Sequence, residues 1–215
     1  MNIKLVIFDL DGTLMNAYPA VYRSVNYALA RFGHPSIGHA IIKRTVGLGD
    51  RHLLRSFIGE ADLDAALKVY RRHHALSLRK DTKLLPGSLR LLRYLRSQGL
   101  KIAVASNRPT KFSLIAIKHL KIRKFFDHIL CGDKVDHPKP APDILLAILK
   151  KFSLKPSQAL YVGDMAIDVR TGRRARVKTV AVTTGSNTAA ELAALKPYSV
   201  VKSISGVKRL LERLS

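Results

Sequence analysis

The sequence contains no tryptophan and one cysteine, Cys131. A lone cysteine forms no intrachain disulfide, and no Cys/His cluster with zinc-ligand spacing accompanies it. Without a nucleophile signature around it, Cys131 reads as a half-buried bystander thiol. Aromatic residues are 7% of the chain, too few for the stacking strip that single-stranded nucleic acid requires. No apolar run reaches the ~18–20 residues of a membrane span. The N-terminal apolar run is short and ends in acidic residues, unlike a secretory signal, so the expected address is the cytoplasm. Acidic residues are also scarce. Fifteen Asp and Glu face 38 Lys and Arg, for a net charge of +23. Such a field attracts anionic ligands and promotes non-specific adhesion to polyanions. The basic residues are spread along the chain rather than gathered in a tail, so no dedicated nucleic-acid site is expected. A nucleic-acid-binding protein with an unused catalytic site is the alternative from another class.

What the chain does contain is an alternation of strand and helix patterns. Residues 3–8 (IKLVIF) form a short β-branched apolar run stopped by Asp and Gly, as in a buried strand. Helical patterns then cover 18–32, 37–45, 50–58 and 62–78, with no convincing strand between 15 and 80. After Pro86-Gly87 comes a helix over 88–98 that stops at Gly99. Strands are predicted at 100–105, 128–131, 159–162, 179–182 and 199–201. Helices separate them at 110–120, 142–152, 167–174 and 188–195, and a last helix covers 204–214. The fold class is α/β: a Rossmann-like parallel sheet flanked by helices, carrying an all-helical insert. The sheet layer would comprise 1–14 and 82–215, and the insert 15–81. Monomer and homodimer both remain open.

Ligands of open parallel sheets bind outside the carboxyl ends of the strands. Four polar clusters fall just there: Asp9 and Asp11, Ser106 and Asn107, Lys139, and Asp164 with Asp168. Several carboxylates at one edge repel one another and call for a hard cation. Mg2+ suits them, with oxygen ligands and room for substrate phosphate and water. A lysine and small polar side chains beside it suit a phosphate group. The chemistry implied is phosphoryl transfer. One aspartate attacks phosphorus and a second acts as acid and base.

The segments Asp9-Leu10-Asp11-Gly12-Thr13-Leu14, Ser106-Asn107, Lys139-Pro140-x-Pro142 and Gly163-Asp164-(x)3-Asp168 resemble, in order, the four motifs of the haloacid-dehalogenase-like hydrolases. The resemblance implies that Asp9 is the nucleophile and a metal ligand. It implies that Asp11 is the acid/base and meets the metal through its main-chain carbonyl. Asp164 would bind the metal, and Asp168 would position it directly or through Lys139. Lys139 would neutralise the nucleophile and the transferring group. Ser106 and the Asn107 main chain would hold phosphate oxygens, and Gly12 and Thr13 would shape the phosphate turn. Dehalogenase members lack the second aspartate, so Asp11 argues for a phosphatase. The insert resembles the smaller helical cap of the family, with hinges near 14–17 and 81–85.

The local match is to phosphoglycolate-phosphatase-like members, through Asp11-Gly12-Thr13-Leu14-x-Asn16-Ala17-x-Pro19 and Thr45-Val46-Gly47-Leu48. Asn16-Ala17 stand where the family often has Asp-Ser. Sugar-phosphate mutases of this architecture often carry a histidine some ten residues past the acid/base; here the chain reads Ala20-Val21-Tyr22-Arg23. Hydrolysis of a small phosphorylated metabolite, phosphoglycolate first, is therefore expected, with a sugar-phosphate mutase, a pyrophosphatase or a nucleotidase of the same fold as the alternatives. In the insert, Thr45 and Gly47 are expected to meet the site. Arg51 and Lys43 are candidates to hold a second anionic group. His73-His74, set among Arg71, Arg72, Arg79 and Lys80, reads as a solvent-exposed helix face.

Overall fold

The computed structural model describes residues 2–214. In chain order its elements begin with strand β1 (Leu5–Phe8) and the two-residue β2 (Met15–Asn16). Helices α1 (Tyr18–Arg31), α2 (His39–Thr45), α3 (Asp50–Arg55) and α4 (Glu60–Asp81) follow. Next come β3 (Lys83–Leu84), α5 (Ser88–Ser97), β4 (Lys101–Ser106), α6 (Thr110–His119), β5 (His128–Cys131) and α7 (Asp143–Lys151). The chain continues through β6 (Ala159–Gly163), α8 (Ala166–Arg174), β7 (Lys178–Val182), α9 (Ala189–Ala194), β8 (Ser199–Val201) and α10 (Ile204–Leu214). No helix among the described residues is long and apolar enough to cross a membrane.

Six strands form a sheet in the order β5-β4-β1-β6-β7-β8. Every pairing in it is parallel. β1 lies inside the sheet and all four of its residues are buried, which is why its sequence is uniformly apolar rather than alternating. Its side chains still divide by the two-residue period of a strand. Val6 and Phe8 join Val104, Val162 and Val180 in one apolar cluster with Leu91 and Leu92 of α5 and Val207 of α10. Leu5 and Ile7 join Ala103 and Tyr161 in a second cluster with Ile144, Leu145 and Ile148 of α7. Covering both faces in this way leaves the strand ends as the place where polar groups can collect.

Helices α1–α4 have an apolar cluster of their own, including Val25, Leu29, Ile42, Leu54, Leu63 and Tyr70. One short strand, β2, corrects the expectation of none between 15 and 80, and its partner β3 lies just beyond that range. Met15 pairs with Leu84 and Asn16 with Lys83, antiparallel, so the two connectors of the helical block form a ribbon. Two residues per strand are too few to leave a periodic signal. The block touches the sheet layer elsewhere as well. Arg44 donates to Ser186 O at 2.7 Å and makes two bonds to the Glu191 carboxylate. The Asn107 amide donates to Gly47 O at 2.9 Å.

Candidate active site

The carboxyl ends of β1, β4 and β6 bring Asp9, Ser106 and Asp164 to one edge of the sheet. Asp9 directly follows β1, and its main-chain N–H continues the ladder by donating to Val162 O at 2.9 Å. Its Oδ1 accepts from Lys139 Nζ at 2.7 Å. The same ammonium donates to Asp168 Oδ1 at 2.7 Å and to the Tyr161 hydroxyl at 3.1 Å. Tyr161 in turn donates to Asp168 Oδ1 at 2.6 Å. Asp168 Oδ2 accepts from the main-chain N–H of Met165, so the same carboxylate caps α8. Both oxygens of Asp168 are thus engaged, and its geometry suits holding Lys139.

Asp164 is held from the other side. Thr13 Oγ1 donates to its Oδ1 at 2.8 Å and the Tyr18 hydroxyl to its Oδ2 at 3.3 Å. Gly12 sits between them with φ +80°, and a Cβ there would lie 2.4 Å from Asp164 Oδ2. Both the backbone conformation and the close approach therefore require glycine. Gly185, which no motif flagged, does the same from the loop after β7: a Cβ there would overlap Asp164 Oδ2. Oxygens of Asp9, Asp164 and Asp168 lie within 4.8 Å of one another, and all three residues are buried.

Three buried carboxylates around one lysine carry excess negative charge, and their protonation reflects it. Burial, with help from the Asp168 and Asp11 charges, raises the Asp9 carboxyl to about 7 despite Lys139. Burial and then the Asp9 and Asp168 charges push Asp164 well above the usual carboxylate range. Burial favours the neutral amine of Lys139, but Asp168 and Asp9 outweigh it and hold the ammonium well above the ordinary lysine range.

A pocket open to solvent lies above this cluster. The helical block supplies part of its wall, including Val21, Gly47, Leu53, Tyr70 and His74, and the sheet layer supplies Arg108 and Phe112. Asp11 points into this pocket rather than into the three-carboxylate cluster. Its Oδ2 accepts from Arg108 Nε at 2.9 Å and from Nη2 at 2.7 Å. Ser106 is buried, and its Oγ accepts from the Arg108 N–H at 3.3 Å. The Asn107 side chain binds Lys139 through both its main-chain groups, donating to the carbonyl and accepting from the N–H, each at 2.9 Å.

Three expected residues lie elsewhere. Arg51 is on the surface, paired with Asp64. Thr45 donates to Ile41 O within its own helix and does not line the pocket. Lys43 sits over the Tyr18 ring at 5.0 Å and does not line it either. Two expectations about burial are corrected. His74 is 2% exposed rather than solvent-facing, and Cys131 is fully buried rather than half-buried. Arg108, His74, Tyr18 and Tyr161 are site residues that the sequence reading missed.

Residues 6–182 match the model of the family described as haloacid dehalogenase-like hydrolase. The chain belongs to this family. Phosphoglycolate phosphatase 1 of Pseudomonas aeruginosa is 33% identical over 214 residues, covering 94% of this chain and 77% of that protein. The phosphoglycolate phosphatase of Pseudomonas putida is 34% identical with the same coverage. Among solved structures, a predicted phosphoglycolate phosphatase from Haemophilus somnus 129pt superposes with a TM-score of 0.94 at 26% identity, over 98% of this chain and 99% of that one. Within the haloacid dehalogenase-like hydrolases, this chain is a phosphoric monoester hydrolase.

A divalent cation fits the donor set of this family member. The Asp9, Asp164 and Asp168 oxygens are hard donors, buried, and more negative together than Lys139 alone offsets. Among the described residues no hydrogen bond reaches Asp9 Oδ2, whereas Oδ1 is fixed by Lys139.

Proposed function

We propose that this chain is a Mg2+-dependent phosphatase of a small phosphorylated metabolite, phosphoglycolate or one of similar size, acting through an aspartyl-phosphate on Asp9. The observation that supports it is the buried arrangement of Asp9, Lys139 and Asp168, with Asp164 within 4.8 Å. Residues 15–81 are proposed to form a cap domain over a core of 1–14 and 82–215, with its hinge at the β2–β3 ribbon.

Lys139 fixes one oxygen of Asp9, which leaves the other to form the bond to phosphorus. As that bond forms, the phosphorus–oxygen ester bond breaks and its electron pair departs with the leaving oxygen, which takes a proton from Asp11. Water then attacks the aspartyl-phosphate and gives its proton to Asp11; the acyl–phosphate bond breaks and Asp9 is regenerated. Bound at Asp9, Asp164 and the Asp11 carbonyl, Mg2+ would supply charge neutralisation for the transferring phosphoryl group. Ser106 and the Asn107 main chain are proposed to hold phosphate oxygens. The apolar wall contributed by the cap would exclude bulk water during transfer.

The test is turnover of p-nitrophenyl phosphate with and without Mg2+, in the wild type and in Asp9→Asn. Mg2+-dependent turnover in the wild type and none in the variant is expected. Near-normal activity in Asp9→Asn would reject the covalent route. No activity in the wild type, together with tight, salt-sensitive DNA binding, would reject the enzyme reading.

A further inference from the structure

Two side chains lining the pocket carry a full positive charge, Lys139 and Arg108. Lys139 is engaged by Asp9 and Asp168. The Arg108 side chain is 8% exposed, and both nitrogens it turns toward Asp11 meet the same oxygen, Oδ2. Asp11 Oδ1 is buried with no hydrogen-bond partner among the described residues. The third guanidinium nitrogen, Nη1, lies 3.3 Å from Nε2 of His74.

The direction of that last bond can be worked out. Ser24 Oγ donates its proton to Ala20 O at 2.7 Å. The Ser24 oxygen therefore accepts from His74 Nδ1, 3.2 Å away. His74 carries its proton on Nδ1, and Nε2 accepts from Arg108. Burial and the Arg108 charge hold the imidazole neutral, well below its ordinary range. The ring is fixed by stacking on Tyr70, with centroids 4.9 Å apart, and by an edge contact with Phe112 at 5.3 Å. A neutral ring carried by α4 and packed against Phe112 of α6 thus aims the guanidinium.

A guanidinium fork matches the two oxygens of a carboxylate. Asp11 offers it one. With Oδ1 buried and Oδ2 accepting two N–H bonds, Asp11 turns no free oxygen toward a leaving group. The pair must part for Asp11 to act, and a buried guanidinium left alone is costly. Its next partner must be an anion.

We propose that Arg108, aimed by His74, is the specificity-determining residue of this pocket: it exchanges Asp11 for a carboxylate carried on the leaving part of the substrate. The proposal rests on the phosphatase reading above. One exchange recognises the substrate and releases the acid. Phosphomonoesters without the second anion leave Arg108 on Asp11 and turn over slowly. Arg51, the candidate that the sequence offered for this role, is occupied outside by Asp64.

The experiment compares kcat/KM for 2-phosphoglycolate and for the neutral ester ethyl phosphate, with p-nitrophenyl phosphate as a third substrate, all at saturating Mg2+. The wild type should favour 2-phosphoglycolate by roughly 10- to 150-fold, the range of one buried hydrogen-bonded charge. Arg108→Met should bring the ratio close to one. Arg108→Lys, a charge without the fork, should give an intermediate ratio. His74→Leu should lower the ratio mainly through KM for 2-phosphoglycolate. A wild type with no preference, or an Arg108→Met variant that keeps the preference or loses both esters equally, overturns the proposal. Should Arg108→Met fail to fold, Arg108→Lys and His74→Leu decide on the same ratio. If the wild type hydrolyses none of the three esters, the phosphatase reading falls and this proposal with it. If p-nitrophenyl phosphate is hydrolysed and the ratio is one, only this proposal falls.

Discussion

Replacing Lys139 by methionine removes the one cation, among the described residues, that touches both Asp9 and Asp168, and it does so at nearly constant volume. Lys139 is 4% exposed, with its ammonium 2.7 Å from each carboxylate. Breaking a buried pair by deleting one partner costs about 3–5 kcal/mol, because the remaining charge is left uncompensated. The thioether fills most of the vacated space, so little of the loss is cavity. The carboxylates can escape part of the penalty by binding protons. Asp9, already raised to about 7 by burial, should rise further in Lys139→Met. The folded variant then holds a proton that the unfolded chain releases, so its stability falls as pH rises through the neutral range. In EDTA, urea unfolding should show Lys139→Met less stable than wild type by about 3–5 kcal/mol at pH 8 and by clearly less at pH 5. Circular dichroism is the signal, since the chain has no tryptophan. Added Mg2+ should recover part of the loss. A deficit below about 1 kcal/mol, equal at both pH values, would refute the view that Lys139 neutralises this cluster.

Other outcomes follow from neighbouring groups. Asp11→Asn should slow turnover of 2-phosphoglycolate, whose alkoxide leaving group needs a proton, by roughly 100- to 10,000-fold, the span of a lost acid/base, with the unfolding midpoint near that of wild type. Gly12→Ala meets a φ of +80° and a carboxylate oxygen 2.4 Å from its Cβ; a loss of about 1–3 kcal/mol in urea unfolding is expected, along with weakened Mg2+ binding by calorimetry. His74 stays neutral in the fold through burial and the Arg108 charge. The unfolded chain takes up its proton below about 6.5, so the wild type should lose stability as pH falls below that value. His74→Gln should lack this contribution, which is read as the difference between the two unfolding curves at pH 7 and pH 5.

The polar strand ends were legible because each motif lies within a few residues of an apolar run, and the parallel topology does the rest. Asp9, Ser106 and Asp164 needed only the strands before them to be recognised. Arg108 stands beside Ser106-Asn107 and escaped notice because its partner Asp11 is distant in the chain, as is His74. The signal for His74 was nonetheless present. Leu63, Leu67, Tyr70, His74 and Leu78 form the buried stripe of α4, and their spacing of three to four residues puts His74 on the apolar face. The basic residues around it masked that period. Arg51, a candidate for a second anionic group by its charge, is instead turned outward by its helix to Asp64. The β2–β3 ribbon left no trace in composition because it is made by pairing across the whole insert.

That ribbon has a consequence for how the molecule could be rebuilt. Asn16 and Lys83 are direct neighbours across an antiparallel pair, about 5 Å apart at Cα. The chain leaves the sheet layer and returns to it at almost the same point. A two-residue reverse turn of the Asn-Gly kind could therefore close the gap in place of everything from 17 to 82. The stem is not the whole attachment: Ala17, Ala20 and Leu78 of the helical block belong to the apolar cluster of Val6 and Phe8, so such a replacement would have to cover that surface anew.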